Sequence, residues 1–162
     1  MNETLENSKS NITQTWQSNL SKAREHFKSA NNLSYVTFIL IKENRLLVKI
    51  LKELSAATNH LINAFLLYEN SMNRVRITRN PVLNLTNFKD KIAPKYLKPE
   101  DVSSLITILE LSKKHDESAI EFVRKDKFII MIDDNYEVLT IAKIKELLSH
   151  VRNAISAFPQ EK

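Results

Sequence analysis

The densest group of residues with binding chemistry lies in the middle of the chain, between residues 74 and 98. Seven positive charges against one negative charge, Asp90, give this segment +6, whereas the whole chain carries only +5. A local basic patch attracts phosphate backbones, and Phe88 and Tyr96 could stack on single-stranded bases. We favour a solvated basic surface, with binding of RNA or another polyanion as the alternative. The basic residues are Arg74, Arg76, Arg79, Lys89, Lys91, Lys95 and Lys98.

A second basic group lies between Glu121 and Lys127, where Arg124, Lys125 and Lys127 surround one aspartate. These side chains predict a strand that recognises a partner at the surface. The simpler interpretation is a charged, half-exposed strand whose charges protect the edge of a sheet from further pairing. Both interpretations stay open.

Residues that could support catalysis or hold a metal are scattered. The four histidines, at positions 26, 60, 115 and 150, include no pair at the four-residue spacing of a helical metal site. Asp133, Asp134, Asn135 and Glu137 are too few for a calcium loop, which also needs a glycine at its sharp turn. We therefore predict no catalytic residue, no metal and no cofactor.

The chain contains no glycine and no cysteine among its 162 residues. The missing glycine excludes glycine-rich phosphate loops, dinucleotide turns and the nucleophile elbow of hydrolases. The missing cysteine excludes thiol nucleophiles, disulfides and cysteine-based zinc sites. Without glycine, asparagine is expected to fill the left-handed positions that end helices.

The spacing of apolar residues predicts an all-α bundle of about five helices with one small β-hairpin. A first helix is predicted over residues 11–30, with Asn31 and Asn32 as its stop. The apolar residues 33–41 are predicted to form a buried connection or the start of the next helix. A long central helix is predicted over residues 42–73, because its apolar stripe is wide and continues for almost four heptads.

The second half of the chain has shorter predicted elements. A short helix over residues 85–93 precedes a fourth helix, which opens after Pro99 and ends near His115. Two β-prone runs predict a hairpin over residues 121–139, with its turn at Asp133-Asp134-Asn135. A last helix begins after Thr140 as N-cap and stops at Pro159. The whole chain, residues 1–162, is predicted to be one domain with a disordered tail over residues 1–10.

Two stretches resemble known proteins. The string from Ser118 to Phe128 is similar to a segment of uncharacterised archaeal helical proteins. The central helix, from Leu54 to Glu69, also looks like the long helix of HEPN-like bundles, which often pair with nucleotidyltransferases or act as ribonucleases. Their ribonuclease pattern is an arginine followed by a histidine after four to six residues. Here Arg24 is too close to His26 and Arg45 too far from His60, so the resemblance implies a non-catalytic member that binds and pairs.

These observations lead to one favoured function and two alternatives. We expect a non-enzymatic binding or assembly module whose partner is another protein or a second copy of itself, as in a homodimer, because three helices have long apolar stripes. An RNA-associated protein using residues 74–98 is the first alternative, and a hydrolase or nuclease with dispersed polar residues is the second. No apolar run is long enough to span a membrane, and we expect a cytoplasmic protein without membrane contact.

Overall fold

The computed structural model describes residues 15–160, and the predicted tail over residues 1–10 lies outside that range. Within that range, five helices and one three-stranded antiparallel sheet follow one another, which confirms the mostly helical fold. Helix α1 comprises Trp16–Asn32, a π-helical turn at Leu33–Thr37, and Phe38–Ile41; α2 is Leu46–Ser71; α3 comprises Pro81–Asn87, a second π-helical turn at Phe88–Ile92, and Ala93–Tyr96; α4 is Pro99–Glu117; β1, β2 and β3 are Ile120–Arg124, Lys127–Ile132 and Asn135–Leu139; α5 is Ile141–Ser156.

Helix α2 is the centre of the bundle, as its long apolar stripe predicts. Its predicted start at residue 42 is wrong, because Lys42 is the left-handed residue that ends α1 and the central helix begins at Leu46. It packs against α1, α4 and α5, and its inward side chains are fully buried from Leu47 to Phe65. The Phe65 ring is 4.7 Å from the Phe158 ring and 5.8 Å from the Phe88 ring, measured between centroids. This aromatic cluster joins α2 to α3 and to the end of α5.

The predicted stop of the first helix at Asn31 and Asn32 is wrong, because α1 continues to Ile41. Asn31 accepts a hydrogen bond from Arg152 of α5 at 3.0 Å, so its side chain makes a tertiary contact instead of a cap. Continued backbone hydrogen bonding carries the chain through the π-helical turn. The helix ends only at Lys42, which is left-handed with φ 54°.

The predicted burial of residues 33–41 is also wrong, since five large apolar side chains there are exposed. Leu40, for example, is 79% exposed. A π-helical turn holds one residue more than an α-helical turn and so rotates everything that follows. We call these exposed residues the α1 tip: Tyr35, Val36, Ile39, Leu40 and Ile41.

The predicted two-stranded hairpin is a three-stranded meander in the order β1-β2-β3. The missed turn is Lys125-Asp126, which contains neither the glycine nor the asparagine that usually marks a two-residue hairpin loop. Lys125 and Asp133 take the left-handed position of the two turns, with φ 56° and 51°. Within residues 15–160, asparagine fills only one of four such positions, at Asn73.

The remaining helices follow their predictions closely. The helix predicted over residues 85–93 is longer at both ends in the structure. Its start lies earlier because Asn80 caps it by accepting hydrogen bonds from the Val82 and Leu83 amides. Helix α4 begins at Pro99, within one residue of its predicted start. Thr140 caps α5, and its Oγ1 accepts a hydrogen bond from the Lys143 amide at 3.1 Å.

Candidate protein-interaction surface

The three-stranded sheet has apolar side chains on both faces, although among the described residues, 15–160, only one face touches the helices. Neighbouring residues of a strand point to opposite faces, and β2 reads Lys-Phe-Ile-Ile-Met-Ile without any polar alternation. Phe128, Ile130 and Leu139 are buried on the inner face, against the bundle. On the same face, Glu121 binds His115 of α4 at 2.5 Å and Glu137 binds Lys114 at 2.6 Å. These contacts fix which face of the sheet lies against the helices.

The opposite face, called the outer face below, is arranged in three rows by the strand register. Phe122, Ile129 and Val138 form one apolar row, and Ile120, Met131 and Tyr136 form the other. Arg124 and Lys127 form a third, basic row at one end. Ile120 is 59% and Tyr136 65% exposed. Apart from Ile120, these residues line, together with Lys125, a shallow cavity of about 500 Å³.

The two ends of the outer face carry opposite charge. The β1–β2 turn holds Arg124, Lys125 and Lys127 against Asp126, and the β2–β3 turn holds Asp133 and Asp134. In the part of the chain that the structure describes, none of these side chains forms an ion pair. The structure therefore brings the three predicted recognition residues together beside the two apolar rows of the outer face. These rows were not predicted from the sequence, although the unbroken apolar run of β2 indicates them.

A buried carboxylate, Glu69 of α2, separates the basic residues of the 74–98 segment into two groups: those that bind it and those that do not. Glu69 is fully buried and accepts hydrogen bonds from Arg74 Nε at 2.7 Å, from Lys95 Nζ at 3.2 Å and from the Tyr96 hydroxyl. Burial alone would raise the pKa of Glu69, but the hydrogen bonds from Tyr96, Arg74 and Lys95 outweigh it and lower the pKa. Burial and the bond to Glu69 raise the pKa of Tyr96 to about 12. Arg74 and Lys95 thus anchor the 74–98 segment to α2.

The other five basic residues of this segment are exposed, and within residues 15–160 none of them forms an ion pair: Arg76, Arg79, Lys89, Lys91 and Lys98. The two predicted stacking partners are both used within the fold. Phe88 is fully buried in the core, and Tyr96 is half-buried, with its ring 5.6 Å from the Phe65 ring and its hydroxyl held by Glu69. Polyanion binding here would therefore depend mainly on charge.

The four histidines are each held by one polar partner. His26 binds Glu53 at 2.7 Å, His150 binds Asp101 at 2.7 Å and His60 binds Asn19 at 3.0 Å, while His115 binds Glu121 as described above. Burial lowers the pKa of His60, and the nearby charges of His26 and Lys22 lower it further. Over residues 15–160, no group of three or more His, Asp or Glu side chains is placed to hold a metal ion.

The α1 tip lies at the same end of the molecule as the basic row of the outer face. Asn44 lies two residues after Lys42, the left-handed residue that ends α1. Its side-chain amide donates a hydrogen bond to the carbonyl oxygen of Lys125 at 2.8 Å. Lys145 of α5 lies 4.7 Å from the centroid of the Tyr35 ring. Exposed apolar and basic groups are therefore concentrated at the sheet end of the bundle.

Comparison with models of protein families found no match, and neither did comparisons with curated proteins or with solved structures. Among the helices within residues 15–160, none is both long and apolar enough to cross a membrane. The geometry of the outer face is therefore the main guide to function.

Proposed function

We propose that this chain is a non-enzymatic binding or assembly module that contacts another protein through the outer face of its sheet. The observation that supports this proposal is the pair of apolar rows on that face, whose β1 and β3 side chains are exposed while Ile129 and Met131 of β2 are partly exposed. Soluble monomers rarely expose a large contiguous apolar patch unless it binds something. The sheet does not need these side chains for its own attachment, since the inner face supplies the contacts with the helices.

The composition of the outer face fits a protein partner. Protein interfaces combine an apolar centre, often containing an aromatic residue, with a polar rim. Here Phe122 and Tyr136 supply aromatic groups, and Arg124 and Lys127 supply a charged border. Tyrosine and arginine are also common among the residues that contribute most to binding energy.

The proposal of a non-enzymatic role is supported by how the polar groups are used. The buried carboxylates Glu69 and Asp101 are occupied by structural partners. Catalytic sites usually bring several such groups to one cleft. A non-catalytic HEPN-like relationship remains part of this proposal, supported by the long central helix and by analogy of fold alone.

Site-specific photocrosslinking tests the proposal in the cells that naturally express the chain. A Tyr136→p-benzoylphenylalanine variant is expected to form a discrete crosslinked product with a protein, because residue 136 lies on the outer face. The same probe at Val82, which is 74% exposed on α3, serves as the control. Adding Ile129→Ser at the centre of the outer face should abolish the product. Equal crosslinking at both probe positions, or a product that survives Ile129→Ser, would refute the proposed binding face.

A second candidate function is electrostatic binding of RNA by the 74–98 segment, favoured by its five exposed cations without ion pairs. Fluorescence anisotropy with single-stranded RNA at several salt concentrations tests it. Changing Arg76 and Arg79 to serine should reduce the slope of log affinity against log salt by about 1.4, since each lost contact contributes about 0.7. Lys113→Ser on α4 is the control. An unchanged slope would exclude this function for the segment.

A further inference from the structure

We infer that the partner bound by the outer face is a second copy of this chain, with the two outer faces packed against each other. The two copies are related by a two-fold axis that lies between the two sheets and runs perpendicular to the strands. The inference rests on the proposed function and names the partner. It comes from the charge distribution along β2, which is positive at its beginning and negative just beyond its end. A face with this polarity is complementary to itself when one copy is reversed.

The strand register shows how the charges are placed. β2 begins at Lys127, directly after the turn that contains Lys125, and ends at Ile132, directly before Asp133 and Asp134. Six residues at about 3.3 Å each separate the two ends by roughly 20 Å. Because these side chains have no ion-pair partner within residues 15–160, their charges are available to another molecule.

Two arrangements with two-fold symmetry would cover the face, and charge distinguishes them. An axis parallel to the strands leaves the two β2 strands parallel and places the basic row of one copy over the basic row of the other. An axis perpendicular to the strands reverses one β2 strand, so that Lys125 of each copy lies over the turn with Asp133 and Asp134 of its partner. Like charges placed opposite each other oppose association, so the second arrangement is favoured. Its isologous contact forms every charge pair twice.

The size of the face indicates a reversible dimer. Three strands about 4.8 Å apart and roughly 20 Å long cover a small area compared with the ~800 Å² that each partner of a standard interface buries. The two apolar rows would supply the centre of the contact, and the charged ends would set its direction. Association should therefore depend on protein concentration and, through the charged ends, on salt.

Sedimentation velocity of the full chain over a concentration series, at low and high salt, tests the inference. The variants are Lys125→Asp, Asp133→Lys and the double exchange. Each turn then carries at its left-handed position a residue type that the other turn already accommodates there. Each single exchange should weaken the dimer about tenfold at low salt, because two attractive pairs become repulsive. The double exchange should restore the wild-type affinity.

The control is Arg79→Asp, which changes the net charge by the same amount as Lys125→Asp. Arg79 follows the C-terminal end of α2, whereas Asn44, which binds the sheet, precedes its N-terminal end, and the 26 residues of the helix span about 39 Å. This variant should dimerise like the wild type. Thermal melting followed by circular dichroism confirms that each variant is folded before its association is interpreted.

The outcomes separate the two proposals. A wild-type chain that stays monomeric at every concentration, while Tyr136 still crosslinks to a different protein in cells, overturns the second copy and keeps the binding face. A dimer whose single exchanges are harmless, or whose double exchange fails to restore affinity, overturns the reversed arrangement. A monomer without any crosslink at Tyr136 overturns both.

Discussion

Replacing Glu69 with glutamine should cost more stability than any other single exchange of a carboxylate for an amide on α2. Glu69 is fully buried and receives hydrogen bonds from Arg74, Lys95 and Tyr96. Glutamine keeps the shape of the side chain but removes the negative charge that holds these three donors. The variant therefore tests whether one carboxylate anchors the 74–98 segment to the bundle.

The size of the effect follows from the number and exposure of the partners. A hydrogen bond to a charged group contributes about 1.5–3 kcal/mol. The side chains of Arg74 and Lys95 are 45% and 46% exposed, so water can replace part of what they lose. We expect Glu69→Gln to lower the free energy of unfolding by about 2–3 kcal/mol. Glu53→Gln on the same helix is the matched control, since Glu53 is 26% exposed and within residues 15–160 binds only His26. This variant should cost less than about 1 kcal/mol.

The pH dependence of stability provides a second readout. The pKa of Glu69 is lowered from 4.5 in the folded protein, so its stabilisation is fully present above about pH 4.5. It is lost as the pH falls through the lower, folded-state pKa. The difference in stability between the wild type and Glu69→Gln should therefore shrink on acidification.

Urea denaturation of both variants at neutral pH and at a series of acidic pH values measures these effects. The slope of the free energy against urea should stay constant if the unfolded state is unchanged. A loss below about 0.5 kcal/mol for Glu69→Gln, which is typical of surface substitutions, would refute the anchoring role. A difference that does not change with pH would refute the assignment of a lowered pKa.

Substitutions at three further positions have predictable effects, each measured by urea denaturation. Lys42→Gly should stabilise the protein by several tenths of a kcal/mol. A residue with a side chain pays about 1 kcal/mol for a left-handed backbone, and glycine does not, but the greater freedom of glycine in the unfolded chain offsets part of this gain. A destabilised variant would contradict this prediction. Phe65→Ala should cost about 3–5 kcal/mol, because it opens a cavity among buried aromatic rings, and a cost below about 2 kcal/mol would indicate a loosely packed core. Thr140→Ala should cost about 1 kcal/mol through the lost cap of α5, and Thr140→Ser should retain most of that stability.

The helices that sequence predicted well have a strong periodic pattern and clear end signals. Helix α5 combines both, since it begins after Thr140 and ends just before Phe158 and Pro159. The central helix has the periodic pattern but no side-chain cap at its start, and its predicted first residue is four residues too early. The end of α1 was predicted wrongly because asparagine also permits a helix to continue, and the side chain of Asn31 binds Arg152 instead of capping the helix. A π-helical turn has no sequence signature of its own, so the exposure of the α1 tip could not be anticipated.

The candidate site was predicted only in part, since its parts depend on tertiary placement. Arg124, Lys125 and Lys127 could be proposed from their spacing alone. The third strand could not, because the Lys125-Asp126 turn lacks the usual residues. The division of the basic segment by Glu69 could not be foreseen either, since Glu69 lies 26 and 27 residues before Lys95 and Tyr96 and meets them only in the folded chain.

The π-helical turn lets α1 hold one extra residue without displacing the end of the helix. Each residue of an α-helix advances the direction of its side chain by about 100°, and a π-helical turn absorbs about one such step. Deleting one codon within residues 33–37 would therefore give a regular helix in which Ile39, Leu40 and Ile41 keep nearly their present directions. The same deletion in a helix without such a turn would swing every later side chain by about 100°, so gene lineages can lose a codon at this place with little change in the surface that they display.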